Sequence, residues 1–126
     1  MDMMRTLIYG NAKDYDDTSG LLRAMTREER CRQEHLHAKN REDLKKHLVE
    51  WEPHLVVVLE DGAEGMEGVY VVRDTRPAIP LFWFSDDENF GVHSHRLECD
   101  YFSTKPITRE KMEKALNRCE HVGVLL

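Results

Sequence analysis

The most apolar stretch of this chain is residues 53–59, Pro53-His54-Leu55-Val56-Val57-Val58-Leu59. An unbroken run of β-branched and aliphatic residues marks a strand covered on both faces, as in a parallel sheet flanked by helices. The run stops at Glu60 and Asp61, and Gly62, Gly65 and Gly68 behind them read as a glycine-rich loop. Four weaker apolar blocks flank it and predict further strands: 5–9, 33–38, 81–84 and 101–102.

Helical spacing fills the gaps between these blocks. Asp16, Asp17, Thr18 and Ser19 are helix-start residues, and Leu21, Leu22 and Met25 share a face after them. Asn40, with Asp43 three residues on, caps a second helix carrying Leu44, His47, Leu48 and Trp51, which Pro53 ends. A short helix is expected over 68–75 and another over 90–97. Thr108 caps the last, whose stripe is Met112, Ala115, Leu116 and Cys119. Strand and helix thus alternate five times. Right-handed crossovers turn that alternation into an α/β fold: a doubly wound, five-stranded parallel sheet in the order 2-1-3-4-5, with helices on both faces.

In such a sheet, chemistry gathers just beyond the carboxyl ends of the strands. The residues there are Gly10 and Asn11, Glu60 and Asp61, Ser85, and Lys105. A hydroxyl, a lysine and one or two carboxylates at one rim can handle a phosphoryl group, the lysine as a point charge and the hydroxyl as a donor.

Composition narrows the classes. A chain of 126 residues is one domain in size, taken as 1–126 with its core over about 5–120. No apolar run approaches the ~18 residues needed to span a bilayer, so no membrane partner is expected. The first residues lack the apolar core of a signal peptide. Three cysteines, Cys31, Cys99 and Cys119, are too few and too odd for a disulfide framework and point to a reducing cytoplasm. A net charge of −6 argues against direct nucleic-acid binding. His35 with His37, and His93 with His95, are spaced like chelating pairs, but no third ligand is placed, so no metal site is assigned to them.

In motif content the chain resembles the receiver domains of two-component response regulators. Gly65-Met66-Glu67-Gly68 is similar to the Gly-Met-Asp-Gly that follows the phosphoacceptor strand. Residues 79–85, Ile-Pro-Leu-Phe-Trp-Phe-Ser, look like the strand ending in that family's Ser/Thr switch. Residues 100–106, Asp-Tyr-Phe-Ser-Thr-Lys-Pro, look like the Asp-Tyr-x-x-Lys-Pro signature with one extra residue, and 90–106 is closest to the receivers of LytTR-type regulators. The resemblance covers nearly the whole chain. It implies a CheY-like signalling module rather than an enzyme, partnered by a sensor kinase or an effector domain, with the last strand and helices available for a homodimer.

The departures shape the functional expectation. Receivers of that family hold magnesium on an acidic pair after the first strand, where this chain has Gly10 and Asn11. Counting back from Gly68 places the phosphoacceptor at Glu60, with Asp61 next to it. Without the metal ligands, and with glutamate in place of aspartate, in-line transfer to a carboxylate is handicapped. The expectation is therefore a pseudo-receiver with no cofactor, magnesium being possible but not favoured. In it Glu60 pairs with Lys105, and Phe102 is buried where the family carries a switch tyrosine. The rival readings are a receiver phosphorylated on Asp61 and a flavodoxin-like small-molecule binder. The second rival lacks a phosphate loop, since residues 10–14 hold one glycine and end in an acid.

Overall fold

The computed structural model describes residues 2–26 and 31–119. Its elements are β1 (Asp2–Tyr9), α1 (Ala12–Met25), β2 (Cys31–Ala38), α2 (Arg41–Glu50), β3 (Leu55–Val58), α3 (Gly62–Thr75), β4 (Leu81–Ser85), α4 (Gly91–Arg96), β5 (Tyr101–Thr104) and α5 (Arg109–Arg118). A 3₁₀ turn, Glu88–Phe90, leads into α4. The five strands form one parallel sheet in the order β2-β1-β3-β4-β5, as the sequence predicts.

Strand alternation divides the core into two layers. Ile8, Leu55, Val57, Phe82, Phe84 and Tyr101 face α1 and α5, where they meet Leu22, Met112, Ala115 and Leu116. Leu7, Tyr9, Val56, Val58, Leu81 and Trp83 face the opposite layer and meet Leu44, Leu48, Val69 and Val72. All four residues of β3 are buried, because this strand lies at the centre of the sheet with helices on both sides.

Three predicted boundaries are corrected. β1 begins at Asp2 rather than Arg5, because its first residues pair with Cys31–Glu34 of a β2 that also starts earlier than expected. α1 begins at Ala12, not near Asp16. Asn11 is its cap, and its Oδ1 accepts from the Asp14 N–H at 2.8 Å. The third correction is the glycine-rich stretch, which is the first half of α3 and not a loop. Gly62, at φ +56°, makes the turn into the helix. Gly65 and Gly68 are bare patches where the helix packs closely. A Cβ on Gly65 would lie 2.1 Å from the Glu60 carbonyl oxygen, and one on Gly68 would lie 2.5 Å from Cε2 of Tyr9. The predicted caps Asn40 and Thr108 are in place, accepting from the backbone N–H groups of Asp43 and Lys111.

Candidate functional site

The carboxyl ends of β1, β3, β4 and β5 meet at one rim. Lys105 follows β5, and its backbone N–H donates to the Ser85 carbonyl at 2.9 Å, which extends the β4–β5 ladder by one bond. That bond anchors the stem of the lysine at the rim. Its Nζ lies 2.8 Å from Oδ2 of Asp14 and 2.8 Å from Oδ1 of Asp61. The lysine and Asp14 side chains are 19% and 21% exposed, whereas Asp61 is 47% exposed. Burial alone would lower the Lys105 pKa, but the hydrogen bonds and charges of Asp14 and Asp61 outweigh it and raise the value.

Asp14 enters from the first turn of α1. Asn11 holds it twice, accepting the Asp14 backbone N–H and donating Nδ2–H to its Oδ2 at 3.1 Å. Asp61 caps α3 by position only, and no helix N–H reaches its side chain. Its Oδ1 instead accepts the Asp86 N–H at 3.1 Å as well as the ammonium. One lysine and two carboxylates thus tie together the segments following β1, β3, β4 and β5.

The expected pair between Glu60 and Lys105 is not formed. β3 ends at Val58, so the chain has already turned at Glu60, and Asp61 is the acid that faces the ammonium. Burial raises the Glu60 pKa; the Lys105 charge opposes this, and Asp61, Glu64 and Asp14 add to it. Ser85 is fully buried at the end of β4. Its hydroxyl donates to Oδ1 of Asp86 and accepts from the Asp87 N–H, so it reaches the rim acids only through the next residue. Gly10 packs against Leu59, and a Cβ there would lie 2.8 Å from the Leu59 Cβ. Phe102 was expected to be buried and is only half-buried. β5 is an edge strand, and the ring stands edge-on to Trp83 at 5.2 Å.

Asp14 is the rim residue that the sequence reading missed. The available signal was Asn11 as a helix cap, which puts an acid in the first helical turn where acids are favoured. A cavity of about 380 Å³ opens beside the ammonium, lined by Lys13, Asp14, Asp17, Lys105, Pro106 and Ile107.

His35 and His37 are engaged elsewhere. His37 Nε2 lies 2.6 Å from the Gly10 carbonyl oxygen, and its ring stacks on Tyr15. His35 bridges Ser19 Oγ at 2.6 Å and Gln33 Oε1 at 2.9 Å. Burial, helped by the nearby Arg23 charge, pushes its pKa down to about 4. Among the described residues no three His, Cys, Asp or Glu side chains converge as a metal cage. Burial pushes Cys99 up to about 12 and Cys119 up to about 11, so these two remain thiols at neutral pH.

The fold is the flavodoxin-like fold of CheY-like receiver domains. A CheY-like response regulator receiver domain protein from Methanospirillum hungatei JF-1 superposes with a TM-score of 0.70 at 21% identity, covering 98% of both chains. A response regulator receiver domain protein from Clostridium thermocellum gives 0.75 at 14% identity, covering 98% of this chain and 99% of its own. NtrX from Brucella abortus, solved in complex with ATP, gives 0.74 at 16% identity over 95% of this chain. The present chain spans only 28% of that longer protein. No protein-family model and no curated protein matches the sequence.

Proposed function

We propose that the chain is one receiver-like signalling domain of the two-component type, spanning 1–126, that works by protein–protein contact without normal aspartyl phosphorylation. The observation that supports this most is the Lys105 ammonium held between Asp14 and Asp61. A receiver that accepts a phosphoryl group neutralises the incoming charge with a divalent cation and a lysine together. Here the residues do not fit magnesium. Gly10 offers no oxygen ligand from a side chain, and Asn11 offers only a neutral carbonyl already used by the Asp14 N–H. A side chain at position 10 would collide with Leu59. The two nearest acids already share the Lys105 ammonium.

On this reading the domain is not an enzyme. Its partner is a sensor kinase or an effector domain, and 90–106 makes the LytTR-type regulators the nearest relatives in kind. The last strand and helices are the surface offered for a homodimer.

The second reading, a phosphorylatable receiver, is favoured by the exposure of Asp61 and its 2.8 Å contact with the lysine. Incubation with acetyl phosphate and magnesium, followed by intact-mass measurement, separates the two. The pseudo-receiver stays unmodified. A phosphoryl increment that disappears in Asp61→Asn establishes the second reading instead.

A further inference from the structure

At the amino end of the sheet, opposite the acid rim, a cavity of about 390 Å³ lies between Pro53 and His54, just before β3, and residues 76–80, just before β4. That volume is in the range of small-molecule sites. Pro53, Pro77 and Pro80 give it three rigid apolar faces, and Ala78 and Ile79 add to them. One guanidinium lines it, that of the half-buried Arg76. Arg76 donates from Nη1 to the Leu48 carbonyl at 3.2 Å, and among the described residues no carboxylate pairs with it. Its remaining N–H donors are unspent. Arg73, three residues earlier, spends its donors on four carbonyls and Asp100. The walls are set before any ligand arrives. The His54 N–H donates to the Arg5 carbonyl at 2.8 Å, and its Nδ1 accepts the Arg5 N–H at 2.9 Å. The Ile79 N–H closes a turn on the Arg76 carbonyl at 3.3 Å, and the Pro80 carbonyl accepts the Val56 N–H at 3.0 Å. A cavity held in this way gives up little conformational freedom on binding.

The geometry points to a binding site for a small aromatic carboxylate, with its ring against the prolines and Ile79 and its carboxylate on the Arg76 guanidinium. A guanidinium can give a carboxylate two parallel N–H···O bonds, and a half-buried pair is less screened than an exposed one. The apolar walls select for the ring, because burying them returns water to bulk. The single unpaired cation selects for one negative charge: a neutral ring would leave its donors unmet, and a phosphate ester would bring more charge than one guanidinium balances. The site lies at the far end of β3 and β4 from Lys105, so it stands whether or not the rim accepts a phosphoryl group.

The test titrates the full chain with sodium benzoate at pH 7 and constant ionic strength, read by backbone amide NMR. Benzamide supplies the ring without the charge, and sodium acetate the charge without the ring. Benzoate should give saturable shifts at the amides of His54, Arg76, Ala78 and Ile79, with a dissociation constant of roughly 1 mM or tighter, while the amides of Asp14, Asp61 and Lys105 stay still. Benzamide and acetate should each bind at least about tenfold more weakly. Arg76→Met should weaken benzoate by about tenfold or more. Ala78→Glu should do the same without touching the bond from Arg76 to Leu48. It places an acid at an exposed position on the cavity wall, so it keeps the test decisive if Arg76→Met fails to fold. The proposal is overturned if the shifts never saturate, if they centre on the Lys105 rim, if benzamide binds as well as benzoate, or if Ala78→Glu binds benzoate as tightly as wild type.

Discussion

Two partly buried cations sit at opposite ends of the sheet and are satisfied in different ways. Arg73, near the C-terminal end of α3, donates to the carbonyls of Leu97, Pro77, Ile79 and Glu98, and lies 3.6 Å from Asp100. Nearly all of its donors go to main chain, so it welds the segments before β4 and before β5 to α3. Lys105 goes to two side-chain carboxylates instead. Backbone carbonyls cannot be titrated or turned away, whereas carboxylates can be. The amino end of the sheet is therefore held largely by main-chain acceptors, and the carboxyl end by two carboxylates that share one ammonium.

Removing Arg73 should have the largest effect. Arg73→Ala leaves four carbonyls without the charged donor and Asp100 without its cation, and should cost about 3 kcal/mol or more by urea denaturation. Arg73→Lys should recover only part of that, because an ammonium cannot spread over a guanidinium's fork of acceptors.

Next comes Gly65→Ala. Helix propensity alone favours alanine by roughly 1 kcal/mol. Collision with the Glu60 carbonyl and with Trp83 Nε1, 2.8 Å from the added carbon, should reverse the sign to a loss of about 2 kcal/mol. Lys105→Met should cost only about 1 kcal/mol, since its acids are partly solvated. A loss as large as that for Arg73→Ala would break the contrast between the two ends.

The smallest effect concerns His35, away from both cations. Its folded value is about 4, below the ordinary 6.5, so between those pH values the unfolded chain holds the extra proton. Its contribution is complete above pH 6.5 and is lost as pH falls toward 4. Denaturation midpoints followed across that window should fall more gently in His35→Gln than in wild type.

What the sequence revealed and what it hid follow the same physics. The residues Leu55–Val58 announced a central strand because burial on both faces leaves only apolar side chains. Asn40 and Thr108 announced their helices because a cap bond is local. Gly65 and Gly68 misled because their reason is tertiary: a ring and a carbonyl pressed against a helix face. That misplaced the start of α3, whereas Glu60, reached by counting back from Gly68, is missed by the lysine because β3 already ends at Val58. Asp14 stayed hidden behind a helix start drawn four residues late. The half-burial of Phe102 is not legible in the strand pattern, because what lies against its ring, Trp83 edge-on and Gly91 of α4, is set by tertiary packing.

On the proposed reading, the Lys105 ammonium stands at this rim in place of a divalent cation. A thermal melt titrated with magnesium chloride at constant ionic strength tests it most directly. The claim predicts a melting temperature that does not move. A saturating rise of roughly 10 °C, the scale expected when a ligand reaches a hundred times its dissociation constant in a domain of this size, would contradict it.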